Sequence, residues 1–194
     1  MCRDTLDLIG TMKLDDLKTQ FALQCAPVVI GLKVSNLLIV RSDQVQELYE
    51  LLKDSRLSFY ALCVGRERAV LLIYEGMRLN CYLRLRRVRE MMQTFGYGEP
   101  VADRILPILR KKYQSYDKGT GEFPHELGLV LGYPVEDVEG FMKNRGENSL
   151  YTGYWKVYQN LPAKLKLFEA FEAAQQKLVG MVAAGVEMKE IIGG

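Results

Sequence analysis

The chain has 194 residues, 48% of them hydrophobic and 26% charged, a balance ordinary for a folded globular protein whose core needs no disulfide or metal staple. Its net charge of +2 at pH 7 gives no bulk-charge argument for nucleic acid or membrane. Residues 1–118 carry 19 basic and 14 acidic side chains and the remainder 7 and 10, which reads as ordinary surface bias.

The opening MCRDTLDLIGTMKLDD lacks the apolar run and cleavage site of a secretory signal. No apolar stretch reaches the ~20 residues a membrane helix needs; FALQCAPVVIGLKVSNLLIV is interrupted by Gln24, Lys33, Ser35 and Asn36. A cytoplasmic location is expected. Cys2, Cys25, Cys63 and Cys81 show no C-x-x-C spacing, and one histidine cannot complete a Cys/His zinc set. Free thiols are expected, with no metal and no cofactor.

Leu14, Leu17 and Phe21 recur at helical spacing and predict an amphipathic helix over 12–24. Pro27 then interrupts it or opens a second short helix. SNLLIV at 35–40 reads as a buried strand, and Ser42 as the cap of a helix turning Val45, Leu48 and Leu52 inward. LSFYALCVG and AVLLIY, joined by RER, predict a hairpin over 57–64 and 68–74. Both runs are almost continuously apolar, so a sheet covered on both faces is expected. The strand–helix–strand unit before them should cross over right-handed.

One helix is predicted over 77–95, with Cys81, Leu85, Val88, Met92 and Phe95 on its inner stripe and Arg78, Arg84, Arg86, Arg87 and Arg89 on the other faces. Residues 100–114 look helical despite Pro107, and SYDKGTGEF is a loop. Short helices follow over 124–132 and 134–144, and YWKVY at 154–158 reads as a strand. Asn160 and Pro162 suit the start of a long last helix. Its stripe is Leu167, Phe171, Ala174, Leu178, Met181, Gly185, Met188 and Ile192, weakened by Gly180 and Gly185.

Two residues carry the sharpest chemistry. If Pro27 opens a helix, Cys25 lies at its positive end, where the dipole favours thiolate. His125 is the chain's only imidazole, and it follows Pro124 at a helix start, where the cationic form is disfavoured. Cys25 as nucleophile and His125 as base would form a thiolate–imidazole pair in the papain-like order, with Gln20 or Gln24 available to an oxyanion. The competing reading is a buried small hydrophobe and a packed, capping histidine.

The 124–144 pair suggests a helix-turn-helix around Leu127, Leu131, Val135, Val138 and Phe141. Its second helix opens on Glu136, Asp137 and Glu139, which repel phosphate, so DNA reading is disfavoured. The arginine helix could bind phosphate or RNA, although a solvated face is the simpler reading. Tyr151, Tyr154, Trp155 and Tyr158 could line a ligand pocket or simply pack. GTGEF has neither dinucleotide-binding nor Walker spacing.

CAPVVIGLK, FPHELGLVLGYPVEDVEGF and GYWKVY together resemble an uncharacterised bacterial family, number 3793 of the domain-of-unknown-function series. The resemblance runs from about Leu14 to about Phe171. It implies one common architecture for the Cys25, His125 and Trp155 blocks, and no activity. A threonine often follows CAP in that family; here the position is Val28.

The expected fold is α/β (α+β): a small mixed sheet of about four strands wrapped by helices, with a long C-terminal helix. Residues 1–160 are expected to form one domain, with 161–194 packing on it or mediating association. The functional expectation is a small-molecule binder or cysteine-dependent enzyme, with Cys25 and His125 catalytic and Glu126, Tyr154, Trp155 and Lys156 contacting the ligand. The alternatives are a non-catalytic protein that self-associates through 167–192 and a nucleic-acid binder using the arginine helix.

Overall fold

The computed structural model describes residues 13–193; Cys2, the N-terminal segment and the start of the first predicted helix lie outside the described residues. Contacts divide the chain into two compact units, one of residues 1–76 and 171–194 and one of residues 77–170.

Unit one begins with α1 (Leu17–Val29), capped by the Asp16 carboxylate on the Thr19 amide. Then come β1 (Ser35–Arg41), a 3-10 turn at Ser42–Gln44, α2 (Val45–Leu52), β2 (Leu57–Val64) and β3 (Arg68–Glu75). The sheet order is β1-β3-β2, antiparallel at both junctions, with Leu38 opposite Leu71 and Tyr60 opposite Leu72. β1 and β2 therefore run parallel to each other, and β3 returns between them. The expected four-stranded mixed sheet is corrected to three strands, because the YWKVY segment pairs elsewhere. β3 is buried at five successive positions, as its unbroken apolar run implies.

Pro27 does not open a helix; it lies inside α1. Proline has no N–H, so the Leu23 carbonyl loses its partner one turn back. The Gln175 side chain supplies the missing donor at 2.6 Å. Across the sheet's open edge, the Gln24 amide accepts from the Ile39 N–H at 2.9 Å and donates to the Ile39 carbonyl at 3.2 Å. That bidentate contact occupies part of the β1 edge that could otherwise recruit a foreign strand.

Two C-terminal helices complete unit one. The predicted continuous helix to 192 is corrected: α8 (Leu161–Ala183) ends at Gly185, whose φ of +79° suits glycine, and α9 (Met188–Gly193) resumes after it. The Val186 amide reaches back to the Met181 carbonyl at 3.0 Å, closing the helix end. Ala174, Leu178, Met188 and Ile192 join Phe21, Cys25, Leu38, Leu48, Leu71 and Ile73 in one apolar core. The stripe read as an association seam is thus largely consumed inside the chain.

Unit two contains α3 (Gly76–Leu83), α4 (Arg86–Thr94), α5 (Ala102–Asp117), α6 (Glu126–Val130), α7 (Val135–Lys143) and a ribbon of β4 (Tyr151–Thr152) and β5 (Lys156–Val157). The first ten residues of α8 are counted with this unit. The helix predicted over 77–95 is in fact two. The break falls at Arg84 and Leu85, where Leu85 takes an extended conformation (ψ 133°) and is 56% exposed instead of inward. YWKVY forms only the two-residue strand β5, because Trp155 and the Tyr158 and Gln159 amides are drawn to Asp137. No helix among the described residues is long and apolar enough to cross a membrane.

Candidate functional site in unit two

The turn after α4 carries Tyr97 into the interior, where it is 3% exposed. α5 brings Lys112 alongside, and the start of α6 brings Glu126. The Glu126 carboxylate is 2% exposed and accepts from Lys112 Nζ at 2.6 Å and from the Tyr97 hydroxyl at 3.1 Å. Lys112 Nζ also donates to the Phe95 carbonyl at 3.3 Å and sits 4.9 Å from the centre of the Tyr97 ring. Burial, then the Glu126 charge, push the Tyr97 phenol well above its ordinary value, so it stays a donor. Glu126, expected from the sequence to contact a ligand, anchors a buried ion pair in the fold.

That ion pair forms part of the wall of a cleft of about 660 Å³, lined also by Phe95, Lys111, Ser115, Phe123, His125 and Met142. The loop before α6 reaches the cleft by folding back on the end of α5. The Thr120 amide and hydroxyl both donate to the Ser115 carbonyl, at 2.9 and 3.1 Å. A β-carbon on Gly121 would lie 2.9 Å from that of Ser115, so this close approach needs glycine.

His125 stands at the α6 N-cap position, but its side chain makes no capping bond. Its ring lies 5.7 Å from Phe123 and 5.6 Å from Phe141, and Phe123 meets Tyr116 edge-on at 5.1 Å. Neither ring nitrogen has a hydrogen-bond partner among the described residues. The imidazole is therefore positioned by aromatic packing, with its polar atoms uncommitted.

The other predicted residues have different surroundings. Cys25 belongs to unit one and His125 to unit two. Cys25 is fully buried in the α1 interior, so the expected dipole-favoured thiolate at a helix start is corrected. Burial pushes its thiol far up, only partly opposed by the Lys33 charge. Lys33, which the sequence reading passed over, is 7% exposed, donates to Asn36 Oδ1 and lies 6.0 Å from the Phe171 ring centre. Burial lowers its pKa to about 8.

Trp155 stacks on Tyr133 at 4.9 Å, meets Phe168 edge-on at 4.6 Å, and donates its indole N–H to Asp137 at 2.8 Å. The second Asp137 oxygen accepts from the Tyr158 and Gln159 amides at 2.8 and 3.2 Å. Lys164 Nζ stands 3.8 Å from Asp137 and 2.9 Å from Glu136, which also meets Arg87 at 3.4 Å. Lys156 Nζ donates to the Gly146 carbonyl at 2.6 Å, and the Tyr154 ring packs 5.3 Å from Phe168. Two of the three acids that open α7, Glu136 and Asp137, are thus engaged by side chains and amides of the same unit.

Only His125 and Glu126, of the predicted site residues, line this cleft. Lys112, absent from the sequence reading, lines it with them, and the buried Tyr97 hydroxyl supports Glu126 from the interior. Among the described residues no group of His, Cys, Asp and Glu side chains could hold a metal ion.

A family profile described as "Protein of unknown function (DUF3793)" matches residues 21–192. The chain belongs to this family. No curated protein and no solved structure matches it. Within the matched range, the FPHE…GYP…DV and GYWKVY blocks of this sequence coincide with the Glu126 ion pair and with the Asp137–Trp155 junction. Two of the three sequence blocks therefore have direct physical roles in unit two.

Proposed function

We propose that this DUF3793 chain is a small-molecule-binding protein whose site is the His125–Glu126–Lys112 cleft. The carrying observation is that the only imidazole has no hydrogen-bond partner among the described residues and lines a cleft beside a lysine backed by a buried carboxylate. The cleft volume falls in the range of small-ligand sites, and apolar walls with a few convergent polar groups are their usual composition. The buried neutral thiol of Cys25 favours binding over cysteine-dependent catalysis. A cytoplasmic setting, consistent with the free thiols Cys25 and Cys81, is part of the same proposal.

A single histidine makes the test clean, because its ring C–H resonances need no assignment. Small-molecule fragments are screened against the full chain at about 1 mM, a concentration that detects weak binders. The expected result is a saturable shift of the His125 resonances by a chemically coherent subset. A screen in which nothing moves them overturns the proposal.

A further inference from the structure

The ion pair at the cleft wall is asymmetric. The Glu126 side chain is 3% exposed, whereas that of Lys112 is 39% exposed. An incoming molecule therefore meets the positive end of the pair, with its negative end sealed beneath. Two of the three Lys112 N–H groups are placed, on Glu126 and on the Phe95 carbonyl. The third remains for a ligand. The rim carries one side chain of each sign, Lys111 and Glu122, so it adds little net preference.

The apolar side of the cleft is also defined. Phe123 and Met142 are each 39% exposed, large apolar groups left open on one wall. Phe123 is fixed edge-on by Tyr116 and by His125, so it offers a preset aromatic surface. Met142 supplies a polarizable, adaptable neighbour suited to a flat ring.

Resting on the binding proposal above, we infer that the cleft takes a small aromatic oxyanion: a carboxylate or phosphate joined to a planar ring. The oxyanion sits on Lys112, with the His125 ring nitrogens as further partners, and the ring lies against Phe123 and Met142. A charge-assisted contact of this kind separates an anion from its neutral isostere by about tenfold in Kd.

The test uses the full chain and three probes, 2-naphthoate, 2-naphthyl phosphate and the neutral 2-naphthamide, each titrated while the His125 resonances are followed. Naphthoate, naphthyl phosphate or both are expected to bind about tenfold more tightly than the amide, and the tighter of the two identifies the head group. Lys112→Gln is expected to remove that preference, so that the anions and the amide bind the variant with similar affinity. Should that variant fail to fold with Glu126 unpaired, Lys112→Gln with Glu126→Gln removes both charges and should show the same loss. Equal affinity for amide and anions, or a preference that survives loss of the Lys112 charge, overturns the oxyanion assignment. So does a cleft that responds to other fragments but to none of these three, and in each case the binding proposal survives. If no compound of any kind moves His125, the binding proposal fails instead.

Discussion

Gln175 donates a hydrogen bond to the Leu23 carbonyl, the acceptor that Pro27 leaves without its helical partner. The two ends of this bond are 152 residues apart, and together they keep α1 continuous through its proline. A proline inside a helix ordinarily costs about 3 kcal/mol, in part through that orphaned carbonyl.

Gln175→Leu should therefore destabilise the chain by about 1–2 kcal/mol, the cost of a buried acceptor left unmade. Pro27→Ala restores a local donor, so in that background Gln175→Leu should cost clearly less. A double-mutant cycle by urea denaturation measures the coupling. Additive single effects would show that the two positions act independently.

Asp137→Ala should be the most damaging single change in unit two. It strips partners from the Trp155 indole, the Tyr158 and Gln159 amides and the buried Lys164 ammonium. Removing one side of a buried charged network typically costs about 3–5 kcal/mol. Trp155 is the only tryptophan, so its emission during denaturation reports this junction directly. A loss under about 1 kcal/mol would mean the network is dispensable.

The native chain should resist alkylation at Cys25. Its sulfur is buried and its thiol is pushed up, whereas Cys81 is exposed. Iodoacetamide labelling mapped by mass spectrometry should find Cys81 modified well before Cys25, which reacts only as the chain unfolds. Rapid labelling of Cys25 near pH 7, slowed in His125→Ala, would instead revive a cysteine-dependent mechanism.

Lys33 gives a pH dependence with a defined sign. Its pKa is about 8 in the fold, below the usual 10.5. Between those values the unfolded chain binds the proton more strongly, so this residue's contribution to stability rises with pH there. Below about pH 8 its desolvation penalty is fully present. Cys25 acts in the opposite sense, because the unfolded thiol ionises first as pH rises. Lys33→Met should thus stabilise the chain at pH 7, by something on the order of 1–3 kcal/mol. That advantage should shrink toward pH 10.5. Equal stability of the two chains across this range would remove the argument.

Local pattern made the helices around Phe21, Leu48 and Val88 and the 57–74 hairpin legible, because their apolar spacing matches one face of each element. It failed where a distant side chain overrode the local rule. Pro27 reads as a breaker until Gln175 is known to replace its donor. Leu85 fits a helical stripe, yet the chain turns at that residue. In the cleft, His125 was recoverable as the sole imidazole. Lys112 was one of many surface-like lysines, and nothing local paired it with Glu126 fourteen positions on. The aromatic cluster around Trp155 was visible in the sequence, whereas its Asp137 acceptor, eighteen positions earlier, was not.

The order of the segments has a consequence for synthesis. Unit two is a continuous insertion of residues 77–170 into unit one, whose core needs Ala174, Leu178, Met188 and Ile192 from the far end. A ribosome adding about 5–20 residues per second takes roughly 5–20 s to translate that insertion. Throughout that interval the apolar sheet of β1, β2 and β3 waits without its last two helices. A nascent chain stalled before α8 would expose the side chains that the finished protein hides, making it a natural client for chaperones.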